Sequence, residues 1–332
     1  MPEIRIDPLS GHRTIVAGER SRRPGGGPAE QVMSPEPIDR ERDPFAEGHE
    51  DRTPPELYAV RPDGSPPDSP GWTVRVVRNL YPALAAPGEE ADMSAAAMNS
   101  SELFTALPAT GAHEVIINAV QPVHSLAELP AEQVAAAMEV WRERMLLHSA
   151  SAYVQLIVNE RREAGASLPH THAQLYALDF VPAAIARERE RASAYTTRTM
   201  GQNLLGDLVA EEVRRRERIV AIDEEAVLMA PYASRLPFQL MLAPRTPRAR
   251  FEDDGPSGAA LLHDGLCRLA RHLGSSPPLN LWVRTAPLGA SDFCWRIDVM
   301  PRLTHLAGLE LSTEVNLNIV APEDAAAALR DA

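Results

Sequence analysis

Lysine is absent: every one of the 33 basic residues is arginine. That removes Schiff-base chemistry, a pyridoxal phosphate anchor and the lysine of a P-loop in one step. Any phosphate held here must be met by arginine forks, helix N-termini or backbone amides. Cysteine is nearly absent as well. Cys267 and Cys294 stand far apart and neither belongs to a Cys-x-x-Cys pair, so they build no disulfide framework and no cysteine-rich zinc site. No apolar run reaches the roughly 18 residues of a membrane span. The first residues, Met1-Pro-Glu-Ile-Arg-Ile-Asp-Pro, have no apolar leader core, so a cytoplasmic protein is expected. Excess positive charge is missing too. A formal net charge of -13 argues against a nucleic-acid partner and against an anionic membrane surface. A local arginine cluster could still hold a small anionic substrate.

What is present suffices for one large domain or two ordinary ones, in 332 residues of ordinary apolar content. Residues 24–71 are rich in proline, glycine and charge and read as an extended arm or ordered loop. Residues 87–103 read as a loop. Alternation predicts strands at Trp72-Thr-Val-Arg-Val-Val-Arg, at His113-Glu-Val-Ile-Ile-Asn, at Tyr153-Val-Gln-Leu-Ile-Val-Asn159 and over 170–178. A helix is expected over about 130–152, with Val134, Met138, Trp141 and Met145 on one stripe. The second half repeats this order, with strands at 218–223, 226–231 and 238–244, a helix over 258–273, and strands at 279–284 and 293–299. The expected fold class is therefore α+β: two half-domains, each an antiparallel sheet backed by helices. They would span 1–182 and 217–332, joined by a charged helical connector over 183–216.

The chemistry concentrates in Gly165-Ala-Ser-Leu-Pro-His-Thr-His-Ala-Gln174. On a strand, residues two apart share a face, so His170, His172 and Gln174 project together. Imidazole attacks phosphorus while neutral and then departs as a good leaving group. A glutamine amide can donate to a phosphoryl oxygen as charge builds, and the Gly-Ala-Ser turn offers small side chains and backbone amides for the approach of a phosphate. A bare His-x-His also fits a half-exposed strand or a surface metal site.

The longer string Asn159-Glu-Arg-Arg-Glu-Ala-Gly-Ala-Ser-Leu-Pro-His-Thr-His-Ala-Gln174 resembles the active-site segment of the galactose-1-phosphate uridylyltransferases, in the histidine-triad superfamily. Other segments match in order: Asp7-Pro-Leu-Ser-Gly-His-Arg-Thr-Ile-Val-Ala through Pro24, Glu50-Asp-Arg-Thr-Pro-Pro-Glu56, Val74-Arg-Val-Val-Arg-Asn-Leu-Tyr-Pro-Ala-Leu84, Ala230 to Pro244, and Pro301 to Leu311. The resemblance covers nearly the whole chain and implies a histidine-triad-like fold in each half. It makes His172 the nucleophile of a nucleotidyl-histidine and Gln174 the holder of the transferred phosphoryl group. Asn159, Gly165, Ala166 and Ser167 would line the phosphate path. Arg20 and Arg23 match basic residues near the substrate phosphates, and Asn79 a nucleoside contact. Glu310 and Asn316 fall where the family recognises sugar, often across a homodimer. Plainer readings stand beside these: surface charges on an arm for Arg20 and Arg23, a turn residue for Asn79, a solvated strand residue for Glu310.

The chain departs from its relatives at the metal positions. Many members bind zinc through a Cys-x-x-Cys pair, a later histidine and the first histidine of His-x-His. Here Asp43 and Ala46 hold the cysteine positions and Pro122 that of the later histidine, with His124 out of register. Asp43, His49, His124 and His170 are weak metal candidates; no zinc is expected, and His170 is read as a support for the nucleophile strand. In the second half Cys294 and Arg296 stand where relatives often have His-x-His, so no iron site is expected. The expected activity moves a nucleoside monophosphate, UMP by default, between a nucleotide sugar and a hexose 1-phosphate. The alternatives are an ADP-sugar or dinucleotide phosphorylase using the same histidine, a catalytically inactive nucleotide-binding protein, and a plain metal-binding protein.

Overall fold

A computed structural model describes residues 2–19, 32–86, 103–104, 107–253, 255 and 257–332. The chain opens with a short antiparallel pair, β1 (Glu3–Ile6) and β2 (Arg13–Val16). It then runs through β3 (Glu56–Val60), β4 (Val74–Arg78), β5 (Gly111–Ile117), helix α1 (Ala131–Leu147), β6 (Tyr153–Glu160) and β7 (His172–Leu178). Two helices follow, α2 (Ala183–Arg198) and α3 (Leu204–Arg215). The later part consists of β8 (Ile219–Ile222), β9 (Ala226–Met229), β10 (Leu240–Pro244), α4 (Ala259–Leu273), β11 (Leu279–Arg284), β12 (Arg296–Pro301), α5 (Gly308–Thr313), β13 (Asn316–Asn318) and α6 (Pro322–Asp331).

Ten of these strands form one sheet in the order β3-β4-β5-β7-β6-β11-β12-β10-β9-β8. The order is a palindrome of two five-strand units, each built as three strands, a helix and two strands. The units meet where β6 pairs antiparallel with β11, Ile157 opposite Trp282. The two half-sheets expected from the sequence thus merge into a single sheet with a twofold-like relation at its centre. Alternation explains the layering. Leu156, Val158, Ala173, Leu175, Leu281, Val283, Ile297 and Val299 share the main core with α1 and α4. Each helix contributes an apolar stripe at the same spacing: Val134, Met138, Trp141 and Met145 on α1, Leu262, Leu266, Leu269 and Leu273 on α4. Gly265 lets α4 approach β9 closely, since a Cβ there would meet a methyl of Leu228 at 2.4 Å. The opposite face of the sheet carries the polar residues considered below.

Residues 3–16, counted with the first half in the sequence reading, lie on the second. β13 pairs parallel with β2. Thr14 donates to the Ala233 carbonyl (3.1 Å), and Arg5 reaches the Tyr232 carbonyl (3.0 Å) and Glu323 (2.9 Å). The stretch expected as arm or loop over 24–71 contains β3, while 20–31 lie outside the described residues, as do most of 87–103. No helix of the described residues is long and apolar enough to cross a membrane.

Candidate active site

His172 opens β7, and the strand's alternation sends His172, Gln174 and Tyr176 to the face away from α1. His172 is buried. Its Nδ1–H donates to the carbonyl of His170 at 2.8 Å. The carbonyl can only accept, so this bond fixes the tautomer and leaves the lone pair on Nε2. Nε2 has no hydrogen-bond partner among the described residues. Burial holds the ring's pKa below its ordinary value, against the upward pull of the His170 carbonyl, so the imidazole stays neutral. The ring of Phe45 meets it edge-on, centroids 5.2 Å apart.

His170 serves a different purpose. It is fully buried, with Nδ1 2.6 Å from Asp43 Oδ2 and Nε2 2.9 Å from the Ala119 carbonyl. Nε2 must carry a hydrogen for that carbonyl, and a second proton is held between Nδ1 and the carboxylate. The other oxygen of Asp43 accepts from the Phe45 amide (3.0 Å). This arrangement does not fit a zinc ion. Two ligands of a tetrahedral zinc with bonds of about 2.1 Å lie roughly 3.4 Å apart, with the metal between them; Asp43 and His170 instead touch directly. The remaining candidates are engaged elsewhere: His49 Nδ1–H donates to the Asp43 carbonyl (2.8 Å), and His124 Nε2–H to the Glu36 carbonyl (2.8 Å). Among the described residues no three His, Cys, Asp or Glu side chains are placed to hold a metal.

Gln174 sits in a polar cluster that the sequence did not announce. Its Oε1 accepts from Tyr176 Oη (2.9 Å) and contacts His113 Nε2 (3.1 Å). With Oε1 so occupied, the amide nitrogen is the end left to meet an incoming phosphoryl oxygen. His113 stacks on Tyr176, centroids 4.1 Å apart, and accepts at Nδ1 from the Ala83 amide (3.0 Å). Asn79 closes the cluster: its Nδ2 lies 3.1 Å from His113 Nε2, and its Oδ1 accepts from the Tyr81 amide (2.8 Å). Burial pulls the pKa of His113 down. Tyr176 was legible as the next residue of like parity on β7. His113 was not, because it arrives through the β5 register, opposite Tyr176.

Asn159 lies at the end of β6, where its Oδ1 accepts from Asn280 of β11 (2.8 Å). Gly165 ends a 3-10 turn with φ of 93°, a conformation that strains any other residue. One expectation for this turn is corrected. The amides of Gly165 and Ala166 already donate to the Arg162 and Arg161 carbonyls (2.9 and 3.1 Å), so they are not open to a phosphate. Ser167 is exposed. Glu310 lies on helix α5 rather than on a strand, where its carboxylate accepts from the Ala307 amide (2.9 Å). Asn316 lies on β13, paired with Thr14. Among the described residues no hydrogen bond joins Glu310 or Asn316 to the His172 cluster. Arg20 and Arg23 lie outside the described residues.

The corresponding place in the second half has a different chemistry. Asp298 lies opposite Trp282 and Met241, as Gln174 lies opposite Ile157 and Val115, which sets Arg296 where His172 stands. Arg296 is buried and bonded to Glu188 of α2 (3.0 and 3.1 Å) and to Asp298 (3.0 Å). This ion-paired core of β12 leaves no nucleophile there.

The model of the galactose-1-phosphate uridyl transferase N-terminal domain matches residues 1–182. An ADP-glucose phosphorylase of Arabidopsis thaliana is 28% identical over 344 aligned residues, covering 99% of this chain and 93% of the relative. A galactose-1-phosphate uridylyltransferase of Haemophilus influenzae is 26% identical, covering 88% and 80%. The crystal structure of an Arabidopsis thaliana ADP-glucose phosphorylase with bound ADP-glucose superposes with a TM-score of 0.80 at 25% identity, over 100% of this chain and 99% of that one. With its whole first half matched and His172 set on β7 with Gln174 beside it, the chain belongs to the galactose-1-phosphate uridylyltransferase family.

Proposed function

We propose that the protein is a nucleotidyltransferase that carries a nucleoside monophosphate on Nε2 of His172, in the manner of a hexose-1-phosphate uridylyltransferase. The observation that carries this reading is the Nδ1–H bond to the His170 carbonyl, which leaves the Nε2 lone pair unengaged. In the first step Nε2 attacks the α-phosphorus of a nucleotide sugar. The N–P bond forms as the P–O bond to the departing sugar 1-phosphate breaks. The ring gains positive charge, and its bond to the His170 carbonyl strengthens. The Gln174 amide meets charge developing on the phosphoryl oxygens. In the second step another hexose 1-phosphate attacks the same phosphorus and the N–P bond breaks. UDP-glucose and galactose 1-phosphate are the default pair.

Asn159 and Ser167 are assigned to the phosphate path, Asn79 to the nucleoside side, and Arg20 and Arg23 to the substrate phosphates. Zinc is not needed in this scheme, because Asp43 holds His170 directly. Glu310 and Asn316 would act on the sugar from the second subunit of a homodimer. The chain is divided for this purpose into a nucleophile-bearing half, 1–182, a connector, 183–216, and a second half, 217–332. Two unpaired thiols, Cys267 and Cys294, suit a cytoplasmic setting.

A second reading keeps His172 and changes the partners: an ADP-sugar donates AMP and inorganic phosphate collects it. It is favoured by the near-complete two-way coverage of the ADP-glucose phosphorylase relative. Incubation with UDP-glucose or ADP-glucose, followed by intact mass measurement, tests both. One donor is expected to leave a nucleotide adduct that is absent in His172→Ala. Chasing the adduct with galactose 1-phosphate or inorganic phosphate then identifies the acceptor. An adduct from neither donor overturns the proposal.

A further inference from the structure

The sheet face of the second half holds a cleft that the His172 site does not use. Its volume is about 910 Å³ counting the open mouth, and it lies over β11 and β12 beneath the loop at Asp7–His12 and helix α2. On its floor Arg296 bonds two carboxylates, Glu188 and Asp298. At its walls Asp7 accepts from the Leu9 and Ser10 amides (3.1 and 3.2 Å), and Glu212 holds Arg218 (2.9 Å). At the mouth, Arg187 pairs with Glu314 (3.5 Å).

Two further guanidinium groups make no close ion pair there. Arg284 meets Glu188 only at 3.7 Å, and its Nε lacks a hydrogen-bond partner. Arg235 has no carboxylate within ion-pair distance among the described residues, and its guanidinium donates only to the sulfur of Met300 (3.1 Å). Both stand 5.7 Å from the centroid of the Trp282 ring. Burial also pulls the pKa of Arg235 below the ordinary guanidinium value. Asp298 and Asp7 act on Arg235 only from beyond ion-pair distance, so a desolvated guanidinium here gains from an anion that bonds it directly. Arginine forks match phosphate oxygens in pairs, and the flat indole between them offers an apolar wall.

We propose that this cleft binds a phosphate group, free or as a small phosphate monoester, through Arg235 and Arg284, at a site separate from His172. The site is the twofold-related counterpart of the nucleotidyl site, with its nucleophile replaced by an ion-paired arginine and its anion affinity supplied by two new ones.

Trp282 is partly exposed, whereas Trp72, Trp141 and Trp295 are buried to 2% exposure or less. Tryptophan emission therefore reports this cleft. Inorganic phosphate and glucose 1-phosphate, titrated separately at constant ionic strength, are expected to change the emission saturably in the wild type and in His172→Ala. The response disappears in Trp282→Phe. Arg235→Gln and Arg284→Gln, each checked for a native circular dichroism spectrum, bind at least tenfold more weakly. Saturation by phosphate alone identifies the free ion; tighter binding of glucose 1-phosphate identifies the ester. An emission unmoved by both ligands, or an equal response in both arginine variants, overturns the proposal. The His172→Ala arm keeps this result independent of the nucleotidyl-transfer reading.

Discussion

Asp43 and His170 are 127 residues apart in the chain and 2.6 Å apart in space, both without exposed side-chain surface. Their contact bears on catalysis because the backbone carbonyl of His170 sets the tautomer of His172. Removing the carboxylate in Asp43→Ala leaves the buried Nδ1 of His170 without its hydrogen-bond partner, at a cost on the order of 2 kcal/mol. The expected outcome is a lower unfolding temperature together with slower nucleotidylation of His172, read by the growth of the adduct mass. Asp43→Asn keeps an acceptor oxygen and should lose less of both. An Asp43→Ala protein with wild-type stability would remove the pair from the account of the site.

At the scale of elements, Glu160 ties the end of β6 to the turn that precedes α1. Its Oε1 accepts from the Leu126 amide (2.8 Å), while the buried Oε2 has no hydrogen-bond partner among the described residues. Burial pushes its pKa from 4.5 up to about 7, with the Ser125 and Leu126 hydrogen bonds pulling the other way. Between these two values the native state keeps a proton that the unfolded chain has released. The stability this contributes is therefore full below pH 4.5 and is lost as pH rises through 7, on the order of 3 kcal/mol in all. Glu160→Gln is neutral at every pH and still accepts from Leu126. Thermal unfolding should show it more stable than the wild type at pH 8, with the difference vanishing near pH 4.5; equal stability at pH 8 would contradict this.

The strands β4 to β12 and the helices α1 and α4 were legible in the sequence, because each carries its own periodic pattern. β3, β1, β2 and β13 were not. β3 is an edge strand in a proline-rich stretch, set by its register with β4 and broken by a bulge at Glu56/Tyr58. The other three are four residues or fewer and exist through pairing between the two ends of the chain. α6 did carry a start signal, Pro322 followed by Glu323 and Asp324, that the periodic reading passed over. The site divides the same way. His172 and Gln174 declare themselves by spacing, whereas His113 reaches Gln174 and Asn280 reaches Asn159 only through strand register, and Asp43 reaches His170 from a long loop.

In the whole molecule, one sheet joins two units of the same order that have parted in chemistry. A neutral imidazole on β7 can attack phosphorus; the arginine at the matching place on β12, tied to two carboxylates, cannot. Each chain then has one nucleophile, while Glu310 and Asn316 sit on α5 and β13 with no bond to it. In the proposed homodimer the nucleophile of one subunit and Glu310 of the other make one site, and twofold symmetry makes two such sites. His172→Ala and Glu310→Ala homodimers should each be inactive or strongly impaired, for different reasons. In a mixed dimer both lesions fall in one site and the other site is intact. Random reassortment of equal amounts should therefore restore about a quarter of wild-type turnover, since half of the dimers are mixed and each has one working site. Activity that stays at the average of the two parent variants after reassortment would show that Glu310 serves the nucleophile of its own chain, or none.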